Sequence, residues 1–516
     1  MRNLRMMRSA FTVASVAVLG LGLAGTASSA PASGRSDKSN RATLTASCLD
    51  ATVALSVEER RLISTLPDND NPALLQQKPF SQQMIEGAGF QDFGPALVNE
   101  LCTSRSPKTT HKLIERQGTR LWQMAVDRAQ KRHGRIAGNL PSSDDRPLYW
   151  TRLQATAALR QWEPGFAVTI IERDALITAF DKASRGMSDI EFPAGTRMKR
   201  VIMSGFDPYT LDGGDQGTAE GAAGNNIRHG NPSGAIALSL DGTTHKAANG
   251  TRQAVEAYTL PVNYTEFEAG YLEDTIGPLM KAGPRQIDAS ITVSQAGGSQ
   301  FNLEQWNARY HGVSPGNDKS QPCPTVSGVP QLAINTHGCN TKVVPRWGGP
   351  VGFDLFDPPQ WTTASLPIRE MIRANTGRSV ARPPGDTWPD TSVAFGVIWH
   401  TNFTEFPDCS SPSRSTRNNP PPTTYPPSTS PVPPGAQSCS YSGGGGNYLS
   451  NESAYRNTLL RDRLKLDIPA GHIHTPGMQN FDNGNLYNSS DATFDAWRRA
   501  IVAQGQNLVH VVGANA

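Results

Sequence analysis

The sequence lacks an excess of charge of either sign. Its formal net charge is +3 over 516 residues, and residues 1–32 account for all of it, with three arginines and no acidic residue. The remaining chain is therefore formally neutral. A nucleic-acid-binding domain typically carries a basic excess. The composition thus argues against a nucleic-acid partner.

Long hydrophobic runs are also missing. The strongest candidate, Phe11 to Ala24, is too short and too rich in Gly and Ala to favour a stable membrane span. Three arginines precede this run, and a segment of small residues, 27–32, follows it. This order is typical of an export signal. We therefore expect residues 1–32 to be a signal peptide and the protein to be secreted.

Cysteines are few, and their even number is informative. Six cysteines fit three disulfide bridges in an oxidising compartment. Their order along the chain suggests the bridges Cys48–Cys102, Cys323–Cys339 and Cys409–Cys439. Other pairings remain open, because order alone does not fix connectivity. If all six are paired, no thiol is left for catalysis.

Helical periodicity characterises the N-terminal part of the chain, residues 33–195. From His111 to Arg132 and from Leu148 to Trp162, apolar residues recur every three to four positions. No catalytic motif appears in this part. We expect a helical domain that serves as a cap or a docking element.

Strands alternating with helices are expected over residues 196–516. The β-rich runs are 200–205, 287–294 and 392–400. Residues 264–282 are expected to form a helix, Ser365 to cap another, and Asp491 to cap the last one. This alternation predicts an α/β fold, a three-layer α/β/α sandwich with ligands near the carboxyl ends of the strands.

One segment of this second part is expected to be an insertion. Residues 411–435 contain nine prolines among serines and threonines. Such a composition favours an extended, poorly packed chain. A bridge between Cys409 and Cys439 would close the base of the insertion.

Seven short motifs follow one another after residue 198. They are Ser204-Gly205-Phe206-Asp207-Pro208-Tyr209, Asn231-Pro232-Ser233, Leu260-Pro261-Val262, Gln295-Ala296-Gly297-Gly298 with Glu304, Ser365-Leu366-Pro367-Ile368, Gly446-Asn447-Tyr448-Leu449-Ser450-Asn451 and Gly471-His472-Ile473-His474-Thr475-Pro476. Each motif alone is weak. Together and in this order, they resemble the pyroglutamyl peptidase I (pyrrolidone-carboxylate peptidase) family over residues 198–515.

The resemblance implies a catalytic triad. That family removes an amino-terminal pyroglutamyl residue from peptides with a Cys-His-Glu triad. Transferred to this sequence, Ser450 is the nucleophile, His474 the general base and Glu304 the carboxylate that orients it. A hydroxyl needs an adjacent base, and the base needs a third group that holds its tautomer. The resemblance implies no cofactor.

The resemblance also implies a pocket for the lactam ring. Phe206 and Tyr209 stand where the family's aromatic residues enclose the ring, and Gln295 stands in the segment that lines it. A flat, neutral lactam suits aromatic faces with a few amide hydrogen bonds. Alternatively, Phe206 is a core residue and Tyr209 begins an exposed loop. The pair His472 and His474 suggests a metal site, but no third ligand at suitable spacing is evident, so we expect no metal.

The sequence departs from the family pattern at three positions. Ser450 replaces the cysteine, Ser299 stands where an arginine follows the two glycines, and Val313 replaces an arginine that assists near the oxyanion. Arg309 is close enough in sequence to substitute for the latter. The glycine run 443–446 gives the backbone freedom for a tight turn before Ser450, which would suit an oxyanion hole and equally an ordinary loop.

The function that follows is a secreted hydrolase acting on peptides that begin with pyroglutamate or a similar small lactam. Two alternatives remain open. The chain could be an inactive binding protein that retains the lactam pocket. It could also be a serine amidase that acts on another small acyl group, with the helical domain closing over the site.

Overall fold

A computed structural model describes residues 48–66, 78–132, 138–194, 198–209, 211, 226–298, 300–312, 314–320, 325–326, 329–330, 358–374, 380–381, 392–393, 395–408, 413–417, 430–478 and 488–516. The expected signal peptide and part of the proline-rich insertion lie outside these ranges. Cys48 and Cys102 form a disulfide, which confirms the first expected bridge. Cys323, Cys339 and Cys409 lie outside the described residues, so the other two bridges stay predictions.

The N-terminal part is helical, as expected. Its helices are α1 (Phe80–Gly87), α2 (Phe93–Thr103), α3 (Pro107–Ala129), α4 (Arg146–Gln161) and α5 (Ile170–Ala183). Ser106 caps α3 by accepting a hydrogen bond from the backbone of Thr109. Trp122, Trp150 and Trp162 are buried in the core that these helices share. Among the described residues, no helix is both long enough and apolar enough to span a bilayer.

Strands begin at Met198. They are β1 (Met198–Phe206), β2 (Thr243–Lys246), β3 (Arg252–Leu260), β4 (Ala289–Gln295), β5 (Gln300–Glu304), β6 (Trp306–Ala308), β7 (Thr325–Val326), β8 (Val329–Pro330), β9 (Trp361–Thr363), β10 (Val380–Ala381), β11 (Ser392–Val393), β12 (Gly396–His400), β13 (Phe403–Phe406), β14 (Ser415–Arg417), β15 (Cys439–Ser442) and β16 (Ala470–Thr475). Within the described part of the chain, the main sheet has seven strands in the order β12-β5-β16-β4-β1-β3-β2. Strands β16, β4, β1 and β3 are mutually parallel, whereas β5 runs antiparallel to β16.

Helices cover both faces of this sheet. They are α6 (Pro232–Leu240), α7 (Tyr264–Glu268), α8 (Tyr271–Met280), α9 (Ile368–Arg373), α10 (Leu449–Arg463) and α11 (Ala492–Ala514). Because side chains alternate along a strand, Val201 and Met203 of β1 pack with α6 and α11. Ile202 packs on the opposite face with α8 and α10. The three-layer α/β/α sandwich is thereby confirmed.

Two of the three expectations about helix boundaries are wrong, and one is confirmed. The helix expected over 264–282 is two helices, because Gly270 between them has the left-handed φ of 79°. Ser365 does not cap α9; its hydroxyl donates to the carbonyl of Ile468, and α9 begins at Ile368. Asp491 does cap the last helix, since its carboxylate accepts from the backbone of Phe494.

The helical part and the sheet meet at a buried carboxylate. Asp207, which directly follows β1, accepts hydrogen bonds at 2.9 Å from Arg152 of α4 and at 2.6 Å from Arg185, which follows α5. Burial raises the pKa of Asp207, but the two guanidinium groups outweigh burial and lower it below its ordinary value. The loop after β1 is therefore fixed by charges from the helical part.

We predict that Asp207→Asn destabilises the protein by about 3 kcal/mol, because removing one member of a buried ion pair leaves the other charge uncompensated. The measurement is denaturant-induced unfolding with the disulfides intact. Asp127→Asn is the control: Asp127 pairs with Arg132 at 3.7 Å near the surface, where a pair contributes less than about 1 kcal/mol. Equal losses in the two variants would contradict the prediction.

Candidate active site

The carboxyl ends of three neighbouring strands gather predicted site residues at one edge of the sheet. Phe206 ends β1, Gln295 ends β4, and His474 precedes the last residue of β16. These strands are adjacent and parallel. In open α/β sheets, ligands bind at this edge, so the sequence motifs converge where the fold favours a site.

Glu304 approaches His474 from strand β5, which runs antiparallel to β16 and places Glu304 two residues deeper in the sheet than His474. In the antiparallel pairing of β5 with β16, Glu304 lies opposite His472 and diagonally from His474, so all three side chains share one face. Glu304 Oε1 lies 2.7 Å from His474 Nδ1. The carboxylate is fully buried. The base and the carboxylate predicted from sequence are thus in direct contact.

A second histidine contacts the same carboxylate. His400 lies opposite Glu304 in the parallel pairing of β12 with β5, and its Nδ1 is 2.5 Å from Glu304 Oε2. The sequence motifs do not identify His400. Its position at the end of an expected strand was the available signal, but the pairing of β12 with β5 is set by contacts distant in sequence.

The charge of Glu304 fixes which ring nitrogen of each histidine faces it as a donor. Burial raises the pKa of Glu304, but the charge of His400 and the hydrogen bonds from His400 and His474 outweigh burial and lower it to about 2. An ionised carboxylate only accepts hydrogen bonds. Both Nδ1 atoms must therefore donate. In its neutral form His474 then keeps its lone pair on Nε2, as a general base requires.

Helix α10 brings Ser450 to the same edge. Near the middle of this helix, the side chain of Asn457 hydrogen-bonds both the hydroxyl and the carbonyl of Ser290, at the start of β4. Towards its end, Arg461 donates to the carbonyl of Ala470, at the start of β16. The helix therefore runs antiparallel to strands β4 and β16. Ser450 lies seven residues before Asn457, about 10 Å towards the carboxyl ends.

The first turn of α10 is held by Asn451. Its side-chain amide donates to the carbonyl of Ala308 at 2.6 Å and accepts from the Ala308 backbone N–H at 2.9 Å. Gly445 fills the space between this turn and the base: a Cβ there would stand 3.3 Å from the nitrogen of Asn451 and 3.5 Å from His474 Cε1. The residue after Ser450 is thus close to the imidazole ring.

Ser450 itself is half-buried in the first turn of α10. In the described part of the chain, its hydroxyl makes no hydrogen bond to His474. Catalytic hydrogen bonds are often long without substrate and shorten when it binds. Tyr448 precedes the helix and makes no side-chain capping hydrogen bond to the N–H groups of the first turn.

The glycine run before Ser450 forms a tight turn, as expected. Gly443 and Gly446 exchange backbone hydrogen bonds of 2.9 and 3.1 Å, and Gly446 has a φ of 80°. Gly444 lies directly against the acid: a Cβ at this position would overlap with Glu304 Oε2. The turn therefore covers the carboxylate and excludes a side chain there.

Two of the residues predicted to bind substrate are in contact. The amide of Gln295 donates to the hydroxyl oxygen of Tyr209 at 2.8 Å. Gln295 Oε1 is buried and accepts no hydrogen bond from the described residues. Phe206 is only 3% exposed and stacks on Phe267 at a centroid distance of 6.2 Å. Phe206 is thus a core residue at the end of β1, and its contact with a ligand stays a prediction.

His472 has a different environment from His474. Its Nδ1 lies 2.7 Å from the hydroxyl of Thr292, and its Nε2 lies 2.8 Å from that of Ser294. Burial lowers its pKa well below the ordinary value. Both ring nitrogens are engaged, so His472 supports the strand packing. Within the described ranges, no three acidic, histidine or cysteine side chains are placed to hold a metal ion.

Of the positions that bear on the departures from the family pattern, the structure describes Ser450 and Arg309. Ser299 and Val313 lie outside the described residues. Arg309 is buried, and its guanidinium donates to the carbonyl of Pro358 at 2.5 Å. That bond directs Arg309 towards the segment before β9. Its role near an oxyanion stays a prediction.

Comparisons with known proteins identify the family. A family described as "PA0049, C-terminal domain" matches residues 200–479, and one described as "PA0049 N-terminal domain" matches residues 38–181. A protein of Pseudomonas aeruginosa named "Uncharacterized protein PA0049" is 44% identical over 503 residues, which cover 89% of each chain. The chain belongs to the PA0049 family.

Solved structures similar to this PA0049-family protein include pyroglutamyl peptidases. A mutant pyrrolidone carboxyl peptidase from Pyrococcus furiosus is 16% identical and covers 61% of this chain and 99% of its own, with a TM-score of 0.32. Pyroglutamyl peptidase I from Bacillus amyloliquefaciens is also 16% identical, covering 60% and 97%, with a TM-score of 0.31. The α/β/α architecture of the PA0049-family chain is established by its own sheet and helices.

For this PA0049-family site, we predict that Gly444→Ala destabilises the protein by about 2 kcal/mol, because a side chain at a closely packed position forces its neighbours to move. Here the neighbour is the carboxylate of Glu304. Thermal and denaturant unfolding measure the loss. Gly297→Ala is the control, since a Cβ there meets no atom within 4 Å. A Gly444→Ala protein as stable as the control would contradict this packing.

Proposed function

We propose that this protein is a secreted serine hydrolase that removes pyroglutamyl groups from the amino termini of peptides. Ser450 is the nucleophile, His474 the general base and Glu304 the orienting carboxylate. The observation that carries the proposal is the 2.7 Å contact between His474 Nδ1 and Glu304 Oε1 beside the first turn of α10. The ordered motifs supply the substrate class.

The chemistry follows from the protonation of the site. His474 Nε2 takes the proton of Ser450 as Oγ attacks the carbonyl carbon of the pyroglutamyl residue. Glu304 stays ionised and stabilises the imidazolium that forms. His474 then returns the proton to the leaving amine, which releases the shortened peptide. Water, activated by the same base, hydrolyses the ester on Ser450 and frees pyroglutamate.

The first turn of α10 supplies electrostatic stabilisation in this scheme. Backbone N–H groups at a helix start carry partial positive charge and bind anions. Such donors act on the negative charge that develops on the carbonyl oxygen in the transition state. They stand in for the family arginines that this sequence lacks at positions 299 and 313.

Recognition of the lactam is assigned to Gln295 and Tyr209. The unpartnered Oε1 of Gln295 is an acceptor for the lactam N–H, and the Tyr209 ring provides an apolar face. A buried acceptor left without a donor is costly. A ligand that supplies the donor therefore binds better than one that lacks it.

An inactive binding protein is the second candidate. The absence of a hydrogen bond between the Ser450 hydroxyl and His474 among the described residues favours it. So does the replacement of cysteine by serine, because a site shaped for the larger and more acidic sulfur can fail with oxygen. The lactam pocket would then serve recognition alone.

The decisive experiment measures release of an amine from a pyroglutamyl amide. We expect the wild type to be active and Ser450→Ala and His474→Ala to lose activity by at least about a thousandfold, as for other nucleophile and base deletions. His245→Ala is the matched control for histidine removal, because His245 stacks on His510, away from the site.

The outcomes separate the candidates. Activity that survives Ser450→Ala would rule out the serine nucleophile. An inactive wild type together with an active Ser450→Cys variant would identify a binding protein whose pocket still accommodates the substrate. Inactivity of both proteins favours recognition alone if pyroglutamate binds, and another substrate if it does not.

We also predict that Tyr209→Phe raises KM about fivefold and leaves kcat nearly unchanged, because loss of one net hydrogen bond of about 1 kcal/mol frees the Gln295 amide to rotate. Steady-state kinetics with the same amide measure both constants. Tyr441→Phe is the control, since the Tyr441 ring packs on Phe406 in the small sheet of β13 to β15. A fall in kcat at constant KM would argue against a binding role.

A further inference from the structure

The group around Glu304 contains one histidine more than a catalytic triad needs. We propose that His400 is a positioning residue, which holds Glu304 in the orientation that receives His474. This inference rests on the proposed function, because it concerns the same base. It adds a residue that lies outside every motif of the sequence.

The geometry divides the carboxylate between two donors. Oε1 of Glu304 faces His474 at 2.7 Å, and Oε2 faces His400 at 2.5 Å. The two histidines approach from opposite neighbouring strands, β16 and β12. Rotation of the carboxylate about its last bond would break both hydrogen bonds together. Each histidine therefore restrains the contact made by the other.

Water cannot easily replace His400. Glu304 is fully buried, and the backbone of Gly444 lies against its Oε2. Without His400, this oxygen would be a buried charged acceptor that lacks its donor, which is costly. The carboxylate would lower that cost by turning towards another donor. Such a turn removes Oε1 from the imidazole of His474.

His400 is also suited to compensate the buried charge. Its side chain is 18% exposed, so it can exchange a proton with solvent. Burial lowers the pKa of His400, but the charge and hydrogen bond of Glu304 outweigh burial and raise it above its ordinary value. Among the described residues of the sheet, the titratable groups on this face include His474 and His472 beside Glu304, and Glu256 and Tyr258 on the more distant strand β3. Burial keeps His472 neutral.

The test compares two substitutions of different hydrogen-bonding capacity. His400→Leu removes the donor, whereas His400→Gln keeps an N–H group that can reach the carboxylate. We expect kcat for pyroglutamyl amide hydrolysis to fall about a hundredfold in His400→Leu, as for a misplaced catalytic group, with KM nearly constant. His400→Gln should restore most of the lost turnover. His245→Leu serves as the matched control.

A second readout does not depend on activity. In the full-length protein with isotope-labelled histidine, nuclear magnetic resonance detects the Nδ1 proton of His474, which His474→Gln identifies by its disappearance. We expect this proton to be protected from exchange in the wild type and in His400→Gln, and to exchange rapidly in His400→Leu. Unfolding measurements verify that all variants are folded.

The two readouts distinguish failure of the inference from failure of the proposed function. If neither the wild type nor any variant hydrolyses the amide, the proposed function is wrong. Exchange of the His474 Nδ1 proton then tests the positioning role by itself. An unchanged His474 signal in His400→Leu overturns that role. Equal losses of turnover in His400→Leu and His400→Gln also overturn it. The loss of the imidazole ring's packing, rather than of its hydrogen bond, would then be responsible.

Discussion

An ionised carboxylate inside the sheet is the constraint on which the site depends. A buried carboxylate is tolerated only when hydrogen-bond donors or positive charges contact it. Glu304 receives such contacts from a histidine on each adjacent strand. Strand β5 lies between β12 and β16 in the sheet. The same requirement sets the tautomer of His474 and leaves space for no side chain at Gly444. One buried charge thus contacts both neighbouring strands, the base and the glycine turn.

A second buried carboxylate links the helical part to the site. Asp207 stands between Phe206 and Tyr209 in sequence, and its charge is bound by Arg152 and Arg185. The ion pairs of Asp207 thereby fix the segment after β1 to the N-terminal helices. The N-terminal part is thus more than an independent docking unit, because its guanidinium groups stabilise the loop that follows β1.

The sequence predicts the layered architecture, and it names two residues, His474 and Glu304, that lie in contact. The alternation of strands and helices predicts the three-layer sandwich because periodicity reflects burial directly. The contact of His474 with Glu304 is consistent with the motif order. His400 could not be found in this way, since its role arises from the pairing of β12 with β5. Ser365 does not cap α9 because its hydroxyl donates to the carbonyl of Ile468, which is distant in sequence.

The buried amide of Asn451 has a consequence for heterologous production. Asn451-Glu452-Ser453 is an acceptor triplet for N-linked glycans in hosts that attach them. In the folded protein, both polar atoms of the Asn451 side chain are bonded to Ala308, and the residue is 1% exposed. A glycan could be added there only before folding, and it would then keep α10 away from β6. Secretory eukaryotic hosts are therefore a poor choice for this chain unless folding outpaces modification.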